Sequence, residues 1–96
     1  MEFTKKSAQS IVQIETKTVK VVQWNFEPGS STGWHKHKHD YIVIPLTDGQ
    51  LTLRNETGKT VVNLKKGKSY FRAAGIEHDV VNTNTFDFQF VEVELK

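Results

Sequence analysis

Residues 33–41 run Gly-Trp-His-Lys-His-Lys-His-Asp-Tyr, with a histidine at every second position. Side chains alternate between the two faces of a β-strand, so His35 and His37 in an extended segment project from the same face. Imidazole is a ligand for Zn, Cu, Fe and Ni. The one remaining histidine outside this run, His78, lies far along the chain. A fold that returns His78 to the first two would create a three-histidine metal site with open positions.

The size and charge of the chain limit the possible functions. Its 96 residues predict a single domain over residues 1–96. The formal net charge is +2 with the signs mixed, and no run reaches about five or six like charges, so no nucleic-acid partner is expected. The absence of cysteine excludes thiolate ligands, disulfides and a cysteine nucleophile. Without a signal-peptide core or an apolar run of membrane length, we expect a cytoplasmic protein with no membrane partner.

The rest of the chain is typical of β-structure. Short segments rich in β-branched and aromatic residues alternate with turn signals, which predicts about nine strands and a sandwich or barrel. The expected strands cover residues 11–15, 19–26, 41–46, 51–54, 60–64, 69–72, 78–82 and 86–94, with the histidine segment between the second and third. In the last strand Phe86, Phe88 and Phe90 share one face, which predicts a core face.

Two spaced patterns follow one another along the chain. They are formed by Gly29, His35, His37 and Tyr41, and then by Gly67, Ala73, Gly75, His78 and Asn82. Together they resemble the two motifs of the cupin superfamily, which run Gly, His-x-His, Glu, Gly and then Gly, Pro-x-Gly, His, Asn. The resemblance implies an all-β, double-stranded β-helix (jelly-roll) barrel of the RmlC-like type. It also implies a divalent metal ion (Fe, Zn, Mn or Ni) bound by His35, His37 and His78.

The first pattern departs from the family at the glutamate. Counting forward from His37, its place falls on Tyr41, and counting back from Gly49 it falls on Ile42; neither is a carboxylate. In an unbroken strand His39 and Tyr41 would share the face of the other histidines. His39 is therefore a candidate fourth metal ligand, and Tyr41 is the alternative.

Three neutral imidazoles leave the charge of a divalent cation uncompensated, so we expect a small anionic ligand or substrate. One hypothesis is a metal-dependent enzyme, either an oxygenase or an isomerase or lyase, in which Tyr41 or His39 handles protons. Arg72 could bind a substrate carboxylate, although an outward-facing Arg72 is equally compatible with the sequence. The alternative hypothesis is a binding or sensing module without turnover. The stretch from residue 40 to residue 49 also resembles short cupins associated with β-alanine degradation.

Three further expectations concern packing and assembly. The resemblance implies a homodimer formed through the early strands. Trp24 and Trp34 are expected in the core or at a dimer contact. Glu77 and Asp79 flank His78 and would point away from its face in a strand, so we expect them to be solvated.

Overall fold

A computed structural model describes residues 6–96, and all regular secondary structure in that range is β-strand. The strands are β1 (Lys6–Ser7), β2 (Gln9–Glu15), β3 (Val19–Phe26), β4 (Ser30–Ser31), β5 (His35–Lys36), β6 (Asp40–Pro45), β7 (Gly49–Asn55), β8 (Gly58–Leu64), β9 (Tyr70–Arg72), β10 (Glu77–Val81) and β11 (Phe88–Leu95). None of the described residues belongs to a helix that could cross a membrane.

The strands form two sheets. The first sheet has the order β1-β4-β10-β7-β8, with β5 also paired to β10, and the second sheet has the order β2-β3-β11-β6-β9. Both sheets contribute to a single buried cluster. The first sheet supplies Leu51 and Val80, and the second supplies Phe26, Phe88 and Phe90. The expected double-stranded β-helix, a jelly-roll barrel, is confirmed.

The core face of the last strand is shorter than the sequence predicts. Phe88 and Phe90 are 0% and 4% exposed, but Phe86 is 46% exposed. The difference arises because β11 begins at Phe88, so the alternation that buries the other two rings does not extend back to Phe86.

The histidine segment is not one continuous strand. β5 ends at Lys36 and β6 begins at Asp40, so the expected alternation through residues 37–39 is broken. Instead, the backbone of His37 bonds to the loop between β9 and β10: its N–H donates to the Ile76 carbonyl (2.8 Å), and its carbonyl accepts from the Gly75 N–H (2.8 Å). Gly75 has φ +98°, a conformation that glycine adopts without strain. The loop that leads to His78 thus also holds His37.

Asn82 fixes the other end of β10. Its side chain is fully buried, and its amide nitrogen donates to the carbonyls of Phe26 (3.1 Å) and Phe86 (2.9 Å). Its side-chain oxygen accepts from the backbone N–H of Asn84 (2.9 Å). Asn82 therefore satisfies backbone groups from both ends of the connection between β10 and β11. This fixes the end of β10, which is the strand that carries His78.

Candidate metal centre and adjoining cavity

His35, His37 and His78 lie together. His35 and His78 are direct partners in the antiparallel pairing of β5 with β10. The Nε2 atom of His37 lies 3.0 Å from that of His35 and 3.1 Å from that of His78. Ligand bonds of about 2.0–2.1 Å place the nitrogens of one ion on the order of 3 Å apart. The three histidines therefore fit a single metal ion, which they could hold.

The ring of His35 is held by the loop that precedes it. Its Nδ1 lies 2.9 Å from the Gly33 carbonyl and 3.2 Å from the Thr32 hydroxyl. A carbonyl can only accept, so Nδ1 carries the proton and a lone pair remains on Nε2, which faces the cluster.

The same loop is braced by Asp79, whose carboxylate accepts from the Gly33 N–H (3.1 Å). Asp79 is only 3% exposed, so the expectation that it is solvated is wrong. The flanking Glu77 is exposed and accepts from the indole N–H of Trp34 (2.9 Å). Trp34 is itself 51% exposed, so it is not a core residue.

Burial sets the protonation state of the two inner histidines. It lowers the pKa of His37 to about 4, and the neighbouring His35 and His78 act in the same direction. Burial likewise lowers the pKa of His78 to about 4, again with a contribution from His35. Both imidazoles are therefore neutral near pH 7, which is the form that binds a metal.

Tyr41 lies against the cluster. Its ring stacks on that of His37, with centroids 3.9 Å apart and planes 18° from parallel. The side chain is buried, and burial raises the pKa of the phenol, with a further contribution from Glu92. The phenol is therefore protonated near neutral pH. It supports the ring of His37 and offers a hydroxyl rather than a phenolate.

His39 does not join the other histidines. It is partly buried, but the cluster found among residues 6–96 contains only His35, His37 and His78, and His39 is not in the lining of the cavity beside it. The break between β5 and β6 accounts for this, because the alternation that would align His39 with His37 is lost. No carboxylate of the described residues belongs to the cluster either.

A cavity of about 310 Å³ adjoins His78 between the two sheets. Apolar side chains such as Leu53 and Val80 line it on the side of the first sheet. Polar groups line it on the side of the second sheet, namely Tyr41, Tyr70, Arg72 and Glu92, while His78 and the acidic Glu77 line it on β10. An apolar cavity with a few polar groups is the usual form of a site for a small molecule.

Arg72 faces this cavity. It pairs with Tyr41 across β9 and β6, its guanidinium lies 4.4 Å from the centroid of the Tyr70 ring, and it donates to the Phe71 carbonyl (2.9 Å). It forms no ion pair with the carboxylates of residues 6–96. Its cation is therefore available to a bound anion.

Glu92 is a cavity residue that the sequence reasoning missed. It lies on β11, between Val22 of β3 and Val43 of β6. Burial raises its pKa to about 7; Glu94 adds to this and Lys20 opposes it. The signal was the alternation of the last strand: counting on from Phe88 and Phe90 by twos leads to Glu92, on the face that points inward.

Comparison with known proteins agrees with this architecture. The family model described as "Cupin domain" matches residues 22–94, so the chain belongs to the cupin family.

Two relatives and one solved structure are close to the chain. The chain is 47% identical to the protein named "Beta-alanine degradation protein BauB" from Pseudomonas aeruginosa. The alignment spans 85 residues and covers 88% of this chain and 90% of that protein. The chain is 33% identical over 66 residues to the "Oxalate-binding protein" of Thermotoga maritima, covering 69% of this chain and 53% of that one. The crystal structure of a cupin domain from Bordetella pertussis superposes with a TM-score of 0.96 at 43% identity and covers 99% of both chains.

Proposed function

We propose that this cupin is a metal-dependent enzyme, an oxygenase or an isomerase or lyase, that acts on a small anionic metabolite. The observation that carries the proposal is the convergence of three histidine nitrogens beside a cavity that also contains a guanidinium. His35, His37 and His78 would hold a divalent ion, which would supply Lewis acidity or oxygen activation.

The anionic character of the substrate follows from charge. The three imidazoles contribute no negative charge, and the cluster contains no carboxylate of the described residues. A bound divalent cation would thus keep its charge until an anion arrives. Arg72 adds a second positive group in the cavity lining and can bind a carboxylate with two parallel hydrogen bonds. β-Alanine and oxalate, the compounds in the two relatives' names, both carry carboxyl groups.

The roles of the remaining polar groups follow from their positions. Tyr41, a protonated phenol in the cavity lining and stacked on His37, can donate a hydrogen bond or a proton to the bound substrate. His39 would need to move to do the same, because it is not in the lining. We therefore assign proton handling to Tyr41 before His39.

The second candidate function is a small-molecule binding or sensing protein without turnover. One relative is named "Oxalate-binding protein". In addition, the metal cluster of the described residues lacks a carboxylate that could act as a base next to the ion.

Anaerobic purification with elemental analysis, followed by incubation with oxalate, malonate and β-alanine under air, separates the two functions. An enzyme should contain about one metal ion per chain, gain thermal stability with its substrate, and give product or oxygen uptake. Stabilisation by an acid without product or oxygen uptake supports the binding protein. A protein that takes up no metal and is stabilised by none of the acids contradicts both.

We also propose that the protein forms a homodimer through the outer face of the second sheet. One row of directly paired residues crosses all five strands and is entirely apolar, comprising Ile14, Val21, Val93, Ile42 and Phe71. The two ends of the row are exposed, Ile14 by 51% and Phe71 by 54%. A second copy would cover an apolar surface of the kind that marks interaction sites.

Sedimentation tests the dimer. The wild-type protein should sediment above its 11.0 kDa chain mass, and Val93→Lys, in the middle of the row, should give monomers. Val61→Lys on β8 is the matched control, because Val61 is 55% exposed but lies in the other sheet. A wild-type protein that remains monomeric at high concentration contradicts this assembly.

A further inference from the structure

Glu92 occupies an unusual place for a carboxyl group. It follows the buried Phe90 on the inner face of β11 and lies across β6 from Tyr70, since both pair with Val43. Its side chain is in the lining of the cavity. Glu92 forms no hydrogen bond or ion pair with the side chains and backbone of residues 6–96. Every fully buried polar side-chain atom in this range does have a hydrogen-bond partner. The carboxyl oxygens of Glu92 are therefore not sealed in the core, and the space they reach is the cavity.

An unpaired carboxyl in a largely apolar cavity costs free energy unless it is neutral or finds a partner. The titratable and charged groups around it come from each neighbouring strand: Glu94 on β11, Lys20 on β3, Tyr41 on β6, and Tyr70 and Arg72 on β9. From the opposite sheet, Glu77 and His78 on β10 line the same cavity. Burial and Glu94 together outweigh Lys20, and the pKa of Glu92 rises to about 7. The group therefore exchanges a proton near neutral pH, in a position where a ligand could contact it.

We propose that Glu92 is a second anion-binding group, which in its protonated form donates a hydrogen bond to a small organic dianion held at its other end by Arg72 and the histidine site. The proton comes from solvent and forms the O–H bond of the carboxyl group, and no other covalent bond changes. This inference rests on the proposed function, because it needs an anion in the cavity. It adds a specificity-determining residue on the last strand, outside the two motifs that carry the histidines.

The affinity for an anion in the cavity should fall as the pH rises. An anion beside Glu92 favours the protonated carboxyl, so binding takes up a proton wherever the free protein has lost it. With a free pKa of about 7, about nine-tenths of the Glu92 side chains are ionised at pH 8 and about one-tenth at pH 6. Ligand binding should take up nearly one proton at pH 8 and almost none at pH 6. Above pH 7 the affinity should fall by about tenfold per pH unit.

Calorimetric titration of malonate into the zinc-loaded protein measures both quantities, in buffers of different ionisation enthalpy between pH 6 and pH 9. Glu92→Gln carries an amide N–H donor in the same place but cannot ionise. Its affinity should not depend on pH through this group, its proton uptake should vanish, and at pH 8 it should bind malonate about tenfold more tightly than the wild-type protein.

Glu94→Gln is the matched control, since it removes the same charge from the same face of the same strand. Glu94 is not in the cavity lining. The variant should keep both the proton uptake and the steep fall in affinity. The fall should begin at lower pH, because the charge of Glu94 helps to raise the pKa of Glu92.

The outcomes distinguish this inference from the proposed function. If Glu92→Gln keeps the wild-type pH dependence, another group, such as zinc-bound water, is responsible; the inference is then wrong and the anion site stands. Malonate binding without proton uptake at pH 8 has the same meaning, and malonate affinity that rises above pH 7 would also contradict the role of Glu92. If malonate neither binds nor shifts the NMR signals of His78 and Tyr41, the anionic-ligand function fails and the inference fails with it.

Discussion

The two walls of the cavity differ in how their polar groups are positioned. On the histidine side, each ring is placed by specific contacts: His35 by the Gly33 carbonyl, His37 by the loop at Gly75, and His78 by its pairing with His35. On the opposite wall, Glu92 faces inward because of strand alternation alone, and among residues 6–96 the guanidinium of Arg72 has polar contacts only with its chain neighbours, the Tyr70 ring and the Phe71 carbonyl. Yet burial acts alike on both walls, lowering the pKa of the histidines and raising that of Glu92. The cavity favours neutral side chains, and Arg72, which cannot lose its proton, keeps its charge.

The largest effect should follow from removing a histidine. His37→Ala and His78→Ala each leave two of the three clustered nitrogens, and we expect both variants to lose the divalent metal on dialysis. Elemental analysis of the dialysed proteins measures this. His39→Ala is the control, since His39 lies outside the cluster, and it should retain wild-type metal. Loss of metal from His39→Ala would show that His39 moves in on binding, so that the arrangement of three histidines does not hold the ion by itself.

The second prediction concerns the stability of the opposite wall. Because the pKa of Glu92 rises from 4.5 to about 7 on folding, the folded protein binds more protons than the unfolded chain between these values. Stability contributed by the neutral group is present below about pH 4.5 and is lost as the pH rises through 7. Glu92→Gln should therefore stabilise the metal-free protein by up to about 3 kcal/mol at pH 8, at about 1.36 kcal/mol per pKa unit, and hardly at all at pH 4.

Urea denaturation at the two pH values measures this difference. Solvent that enters the cavity reduces this difference in stability, since Glu92 is only partly buried. Equal stabilisation at pH 4 and pH 8 would mean that the substitution improves packing, and that ionisation of Glu92 costs nothing.

Most of the fold could be predicted from the sequence, because β-branched and aromatic residues alternate between clear turn signals. Strand boundaries were less accessible. The pairing of β4 and β5 with the same strand and the break after Lys36 depend on contacts with residues 75 and 76, which are distant in sequence.

The site was predictable where a local pattern encodes it. Three histidines at motif spacing were sufficient to anticipate the cluster, because two lie two residues apart in the first motif and the third belongs to the second motif. Asp79 was misjudged because alternation predicts only its direction, and not that the loop at Gly33 covers it. Glu92 carries no motif, and its inward position becomes significant only when β9 is placed on the far side of β6.

A smaller effect should come from Asp79, which acts on the histidine wall through the loop. Asp79→Asn leaves an oxygen for the Gly33 N–H but removes the charge that strengthens this hydrogen bond. The Gly33 carbonyl should then hold the ring of His35 less firmly, and we expect zinc affinity to fall by about tenfold to a hundredfold. Competition with a fluorescent chelator measures the change. Thr85→Ala, on an exposed residue of the connection between β10 and β11, should leave the affinity unchanged. Full affinity in Asp79→Asn would mean that the metal alone orients His35.

The smallest effect that still separates the two walls concerns Arg72. Arg72→Gln removes the cation from the cavity without touching a histidine, so metal content should stay at the wild-type level while malonate binds about tenfold more weakly. A hydrogen bond to a charged group contributes roughly 1.5–3 kcal/mol, and the low end applies because Arg72 is partly exposed and already donates to the Phe71 carbonyl. The chain's other arginine supplies the control: Arg54 on β7 is not in the lining, and Arg54→Gln should bind malonate normally. If both variants weaken binding equally, the guanidinium acts only through the overall charge of the protein, and anion recognition belongs to the histidine wall alone.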